Sequence, residues 1–210
     1  MMWSFQVGGL YLTRYLSTLL AQNNGHSFTS HTDMEHVREM KERFCYLTPN
    51  SKEEQEKYYL KCSPNDNFPC KTYTLPDSGE VITLGAEQYQ CPEALFDPTL
   101  CGARPGGLHE IIATSINMID EDIRKEVYYN IVLSGGCSML QGLKERLNEE
   151  VVRLSPAGTV VRMVAQPDRK DAVWVGASIL ASLRTFKEQW VTREEYEEHG
   201  GAIIHQRLGP

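Results

Sequence analysis

No run of about 18 apolar residues occurs in this sequence, so no segment reads as a membrane-spanning helix. Its first residues, MMWSFQVGG, have neither the basic start nor the long apolar stretch of a secretory signal, and a soluble intracellular protein is expected. The six cysteines, Cys45, Cys62, Cys70, Cys91, Cys101 and Cys137, include no CxxC pair. Without a secretory signal they are expected as free thiols. Only Cys62 and Cys70 lie close in sequence, and no metal site is expected of them. Positive charge is also short: Lys plus Arg is 21 against 28 Asp plus Glu, a net charge of −7. That balance disfavours broad attraction to nucleic acid or an anionic membrane, while local basic patches stay open. No fixed-period repeat is present.

Apolar material is ample. At 41% hydrophobic over 210 residues, the chain suits one large domain or two small ones. Leu12, Tyr15, Leu16, Leu19 and Leu20 recur at helical spacing and predict a helix that stops near Asn23, Asn24 and Gly25. Thr32 to Glu35 has capping-box spacing and opens a second helix, with Met34, Val37, Met40 and Phe44 inward. Arg38, Lys41 and Glu42 share its other face, where an Arg38–Glu42 ion pair on a solvated surface is the plain reading. Residues 48–69 turn polar and proline-rich and read as a mobile surface segment. KTYTL and EVITL, around Pro76-Asp77-Ser78-Gly79, predict a hairpin. Pro92 and Glu93 read as a helix first turn, 97–107 as a loop, and Leu108–Ile116 and Asp120–Val127 as helices.

Next comes the stretch Asn130 to Leu147, NIVLSGGCSMLQGLKERL. Ile131, Val132 and Leu133 suit a buried strand, and Gly135 and Gly136 a tight turn. Leu140, Leu143, Leu147, Val151 and Leu154 then follow at the period of a helix. Either this is a tight βα turn, or a helix N-terminus behind glycines that attracts an anion or nucleotide. Thr159–Val164 reads as a strand, Gln166–Asp171 as a polar turn and Ala172–Phe186 as a helix with little bulk at Gly176, Ala177, Ser178, Ala181 and Ser182. A last helix is capped by Thr192 with Glu195 and ended by Gly200.

Taken together, NIVLSGG, LPDSGEVITLGAEQYQCPEALFDP, INMIDEDIRKEVYYN and DAVWVGASILASLRTFKEQWVTREEYEEHG resemble the C-terminal half of actin and the actin-like proteins. The resemblance implies an α/β, ribonuclease H-like ATPase fold, shared with Hsp70-type chaperones and sugar kinases, with two lobes around a nucleotide cleft. It divides this chain into a small lobe at 9–103, part of the large lobe at 104–171 and C-terminal helices at 172–210, similar to actin subdomains 4, 3 and 1. By resemblance Gly9 lines the cleft, Arg38, Lys41 and Glu42 border adenine and ribose, Gly135, Gly136, Cys137 and Met139 form the turn under the nucleotide, and Lys170 lies at the adenine edge. Glu42 can accept from ribose hydroxyls, and Lys41 and Lys170 can donate to the base. Cys137 and Leu140 depart from the family's Thr and Tyr, and Leu100-Cys101-Gly102-Ala103 replaces a bulkier apolar tip that supports filament contacts. Val175, Ile179, Leu180, Leu183 and Thr185 match the cleft that actin offers to partners, which here is either a groove for an amphipathic helix or ordinary core.

The family's Gly-rich phosphate loops, with their Asp residues, precede the position of Gly9 and are not in this sequence. ATP with Mg²⁺ is therefore expected to bind weakly if at all, and hydrolysis is not expected. The implied protein is a truncated or short actin-like cytoskeletal form, cytoplasmic with the nucleus as an alternative, whose partners are actin-fold subunits or actin-binding proteins. A nucleotide-free interaction protein that binds other actin-fold subunits is the alternative. Unpaired sheet edges and exposed apolar helix faces are expected in either case.

Overall fold

The computed structural model describes residues 4–48 and 70–208, which fall into two compact units, Met1–Lys170 and Asp171–Pro210. Cys62 and nearly all of the polar stretch expected at 48–69 lie outside the described residues.

The first unit is built on α1 (Gly9–Asn24) and α2 (His31–Phe44). A spacing of four aligns Leu12, Leu16 and Leu20 on one stripe of α1, and all three are buried, as are Val37 and Met40 of the neighbouring α2. α1 stops where Gly25 adopts φ +72° and donates its N–H to the Ala21 carbonyl. α2 begins two residues earlier than the Thr32 cap implied. Its cap is Ser30, whose hydroxyl accepts from Asp33 N–H at 3.0 Å while the Asp33 carboxylate accepts from Ser30 N–H at 2.9 Å. The backbone turns from extended to helical at Ser30, so Thr32 is already inside the helix. Glu35, released from capping, pairs with Arg38, and the expected Arg38–Glu42 pair does not form.

Two strands, β1 (Lys71–Thr74) and β2 (Val81–Leu84), make the expected antiparallel hairpin, with Tyr73 opposite Ile82 and both buried. The Tyr73 hydroxyl donates to Glu39 at 2.5 Å, and burial together with that carboxylate pushes it up to about 12. α3 (Glu87–Glu93) follows, and Pro92 stands at its end rather than its start. Lacking an N–H, Pro92 leaves the Gln88 carbonyl without its donor from within the helix, and Tyr46 N–H, just past α2, takes that acceptor at 3.0 Å. The expected 97–107 loop contains one 3-10 turn, Pro98–Cys101, capped by Asp97.

Beyond it, α4 (Leu108–Asn117) packs on α5 (Glu121–Tyr129) and on α6 (Leu143–Leu154). β3 (Ile131–Val132) and β4 (Met163–Val164) pair in parallel, with Val132 68% exposed. Only the end of the expected 159–164 strand is paired. In α6 the Arg146 guanidinium binds Glu93 at 3.0 Å, Glu150 at 2.9 Å and the Thr48 carbonyl at 2.9 Å, with its carbon 4.8 Å over the Phe96 ring. It ties α6 to the ends of α2 and α3.

In the second unit, α7 (Ala172–Ser182) is shorter than the helix expected through Phe186. The Ser182 hydroxyl takes the Ile179 carbonyl at 2.7 Å, the acceptor that Leu183 N–H needs to continue the helix. Leu183 is extended, a 3-10 stretch covers Arg184–Gln189, and α8 (Arg193–His199) begins under Thr192 with Glu195 in the box and ends at Gly200 as the sequence indicates. α9 (Ala202–Leu208) was not legible in advance. Among the described residues, no helix is long and apolar enough to cross a membrane.

Candidate functional site

The glycine stretch that drew attention in the sequence folds differently from strand, turn and helix in direct succession. After β3, Gly135 takes φ +87° and ψ 165°, and Gly136–Met139 form a single 3-10 turn. Leu140 is outside any helix, and α6 starts only after Gly142. No α-helix N-terminus stands behind Gly135 and Gly136, which removes the dipole argument for an anion there. Ser138 locks the turn by donating its hydroxyl to the Gly135 carbonyl at 2.7 Å. Arg169 then staples the loop after β4 to it: two guanidinium nitrogens donate to the Ser138 carbonyl at 3.0 and 3.1 Å, and Gly135 N–H donates to the Arg169 carbonyl at 2.8 Å. Lys170 is thereby held beside the turn.

Opposite lies the start of α1. The Gly9 carbonyl accepts from the Lys41 ammonium at 2.9 Å and from the Thr13 hydroxyl at 2.9 Å, while Lys41 also donates to Thr13 Oγ1 at 2.9 Å. A side chain on Gly9 would begin 3.3 Å from Cys137 Sγ and 3.6 Å from Lys41 Nζ. Glycine thus lets three elements close on one another, because a Cβ would crowd the thiol. Lys41 is 7% exposed and has no carboxylate partner among the described residues; its ammonium is held by the Gly9 carbonyl and the Thr13 hydroxyl. Behind it, the Cys91 thiol is pushed up by its hydrogen bond with Cys45 and by burial.

Between these walls is a cavity of about 820 Å³, lined by Gly9, Arg38, Lys41, Glu42, Gly136, Cys137, Met139 and Lys170. Of the nine residues expected around the nucleotide, only Gly135 is not on the lining, and it acts by shaping the turn. The same wall includes residues that sequence reasoning did not assign to the site: Leu10, Thr13 and Arg14 of α1, and Thr29 to His31 at the head of α2. Thr13 had a signal in hindsight, four residues after Gly9 and so one helical turn above it. The charged groups of the lining are Arg14, Arg38, Lys41 and Lys170 against Glu35 and Glu42, four cations to two carboxylates in a chain of net charge −7. Arg38 is tied to Glu35, whereas among the described residues the side chains of Arg14, Glu42 and Lys170 make no hydrogen bond or ion pair. A smaller cavity of about 370 Å³ lies along the outer side of α1, between Tyr11 and Tyr15 and the Leu100-Cys101 turn. Burial pushes the Tyr15 hydroxyl up, with Cys91, Cys101 and Asp97 adding to it.

The residues expected to form a partner cleft all belong to the second unit. Val175, Ile179 and Leu180 are on α7, Leu183 ends it, and Thr185 is in the 3-10 stretch. No residue of α7 is buried; Val173 and Trp174 are 71% and 73% exposed.

A protein-family model described as Actin matches residues 4–209.

Proposed function

This chain belongs to the actin family, and from that premise we propose that the cavity beside Gly9 binds the adenosine portion of an adenine nucleotide. The reading is carried by Lys41: a buried ammonium with no carboxylate partner among the described residues, facing a glycine-walled cavity of about 820 Å³, keeps an N–H for a ligand that offers acceptors. An adenine ring supplies those acceptors on its edge. Glu42, exposed and without a side-chain partner, is free to accept from ribose hydroxyls, and Lys170 borders the base. The bare backbone of Gly9 and Gly136 gives the ligand close approach. Cys137 and Leu140 make one edge of the cavity less polar than a hydroxyl and a phenol would, which lowers affinity without loss of the fold. The reading is one of binding; no bond-breaking step is assigned to these residues. Titration calorimetry with adenosine and with ATP tests it. Dissociation constants of about 1 mM or tighter are expected, and heats indistinguishable from dilution for both ligands would end the proposal.

A second reading rests on α7. A helix apolar on most sides with no buried residue is a surface that water disfavours, and covering Trp174, Ile179 and Leu180 would remove large apolar area. A role as a subunit that docks other actin-fold proteins through Val175, Ile179, Leu180, Leu183 and Thr185 follows, compatible with a bound nucleotide. Trp174→Ser should then abolish co-elution with such a subunit and leave nucleotide binding unchanged.

A further inference from the structure

We propose that His36 and His26 form a proton-operated latch, which holds the tip of the β1–β2 hairpin on the first two helices and releases it as pH rises through neutrality. The tip is a separable part. Its backbone closes on itself, with Gly79 N–H donating to the Leu75 carbonyl at 2.9 Å and Leu75 N–H to the Glu80 carbonyl at 2.8 Å. Behind it the strands are fixed by buried Tyr73, Ile82 and Leu84. Two histidines from outside the hairpin grip the two ends of the turn. His36 Nε2, on α2, is 3.2 Å from Asp77 Oδ2, and His26 Nδ1, just past the Gly25 stop of α1, is 3.5 Å from Glu80 Oε1.

The donors and acceptors around His36 fix its charge in this arrangement. Ionised Asp77 can only accept, so Nε2 carries a hydrogen. Nδ1 is 3.3 Å from the Tyr73 hydroxyl, whose one proton already goes to Glu39 at 2.5 Å. Arg43, paired with Glu39 at 2.6 Å, keeps that carboxylate an acceptor, and burial together with Glu39 pushes Tyr73 up to about 12, so the phenol keeps its proton. The Tyr73 oxygen must then accept from His36, and Nδ1 carries a hydrogen as well. A ring that donates from both nitrogens is the imidazolium; a neutral ring forfeits one of the two contacts. Asp33, one turn earlier on α2, adds negative charge on the same side, and Glu80 is the charge that faces His26. The His36 side chain is 14% exposed and Asp77 71%, so the histidine is the seated half of the latch and the turn is the half that leaves. The latched state binds the proton, so attachment is full on the acid side of the ordinary histidine range, near about 6.5, and is lost above it.

Solvent exchange of the Gly79 amide, followed by NMR on the full chain and scaled to the unstructured rate at each pH, reports the state of the tip. Its protection should fall about threefold between about pH 5.5 and pH 8, the size of one partly exposed charged contact. Over the same range nitrogen-15 spectra should show the His36 ring going from two protonated nitrogens to one. His36→Gln should keep only the smaller share owed to His26, and the double variant His26→Gln/His36→Gln should show no pH dependence. Asp77→Asn, at an exposed position where packing is not at stake, should have the low protection already at about pH 5.5. Constant protection across the range in the unaltered chain, a fall in the double variant as large as the parent's, or full protection in Asp77→Asn would each overturn the latch.

Discussion

Replacing Gly142 with alanine should destabilise the first unit far more than the same change at the two glycines just upstream. Gly142 sits at φ +80°, ψ −5°, immediately before α6. That left-handed conformation costs an L-residue about 1 kcal/mol. In addition, a Cβ at this position would fall 2.0 Å from the Leu47 carbonyl oxygen and 3.0 Å from its carbon. Those atoms belong to backbone that is itself anchored, since Leu47 N–H donates to the Gln141 carbonyl at 2.8 Å and the Leu47 side chain is buried. Relief requires residues 46–47 to move off Gln141, which loses a hydrogen bond worth about 1 kcal/mol net and about 1–2 kcal/mol of apolar burial. The total is about 3–4 kcal/mol. Gly135 meets no atom within 4 Å but holds a conformation open only to glycine, so its alanine variant should lose about 2 kcal/mol from strain alone. Gly136 has neither problem and should lie within about 0.5 kcal/mol of the parent. Urea unfolding of the three variants, read as midpoint shifts at constant slope, supplies the comparison. A loss under about 1 kcal/mol at Gly142, or Gly136→Ala as the most damaging of the three, would refute the close approach of Leu47 on which the joint depends.

Other outcomes follow from single contacts. Arg146→Met removes the cation between buried Glu93 and half-buried Glu150 and should lower stability by about 3 kcal/mol or more, measured by thermal denaturation. Burial alone would raise the Glu150 carboxyl, but the hydrogen bond and charge of Arg146, aided by Arg153 and His109, hold it below the ordinary carboxylate range. A carboxyl depressed in the folded state stabilises above its unfolded value and loses that contribution as pH falls through the folded one. Stability should therefore drop as pH falls below the ordinary glutamate range, and Glu150→Gln should flatten that part of the profile in acid titrations followed by circular dichroism. Lys41→Met should weaken adenosine binding at least about tenfold by calorimetry while the melting temperature holds or rises, because a buried cation is replaced by an apolar isostere.

Much of the architecture was legible wherever one local interaction had no rival. The hairpin, the stop at Gly25 and the Thr192–Glu195 cap follow from turn and cap chemistry that neighbouring residues do not contest. Errors arose where two local solutions were close in energy. Ser30 and Thr32 both satisfy the capping pattern, and the extended chain before Ser30 chose between them. Glu35 and Glu42 are both within reach of Arg38, and capping by Ser30 left Glu35 available. The break at Leu183 was hidden because a serine hydroxyl competing for a carbonyl leaves no mark in hydrophobic periodicity. Around the cavity, Gly9, Lys41 and Lys170 were placed through family resemblance, since their meeting point depends on contacts more than 100 residues apart in sequence. Arg14 had no such signal, because an exposed arginine on a helix looks the same in sequence whether or not a cavity opens beside it.

The proline near the end of α3 bears on how the first unit assembles. Any helix can form provisionally and satisfy its own interior carbonyls, but α3 cannot, because Pro92 withholds the hydrogen that Gln88 would need. That carbonyl accepts from Tyr46 N–H, which arrives from the far side of a long intervening segment. Neither α3 nor the end of α2 is then finished without the other, so the two should gain hydrogen-exchange protection together as one cooperative step. An alanine at Pro92 would allow α3 to mature early and alone, uncoupling the ends of a chain segment that the imino acid obliges to wait for each other.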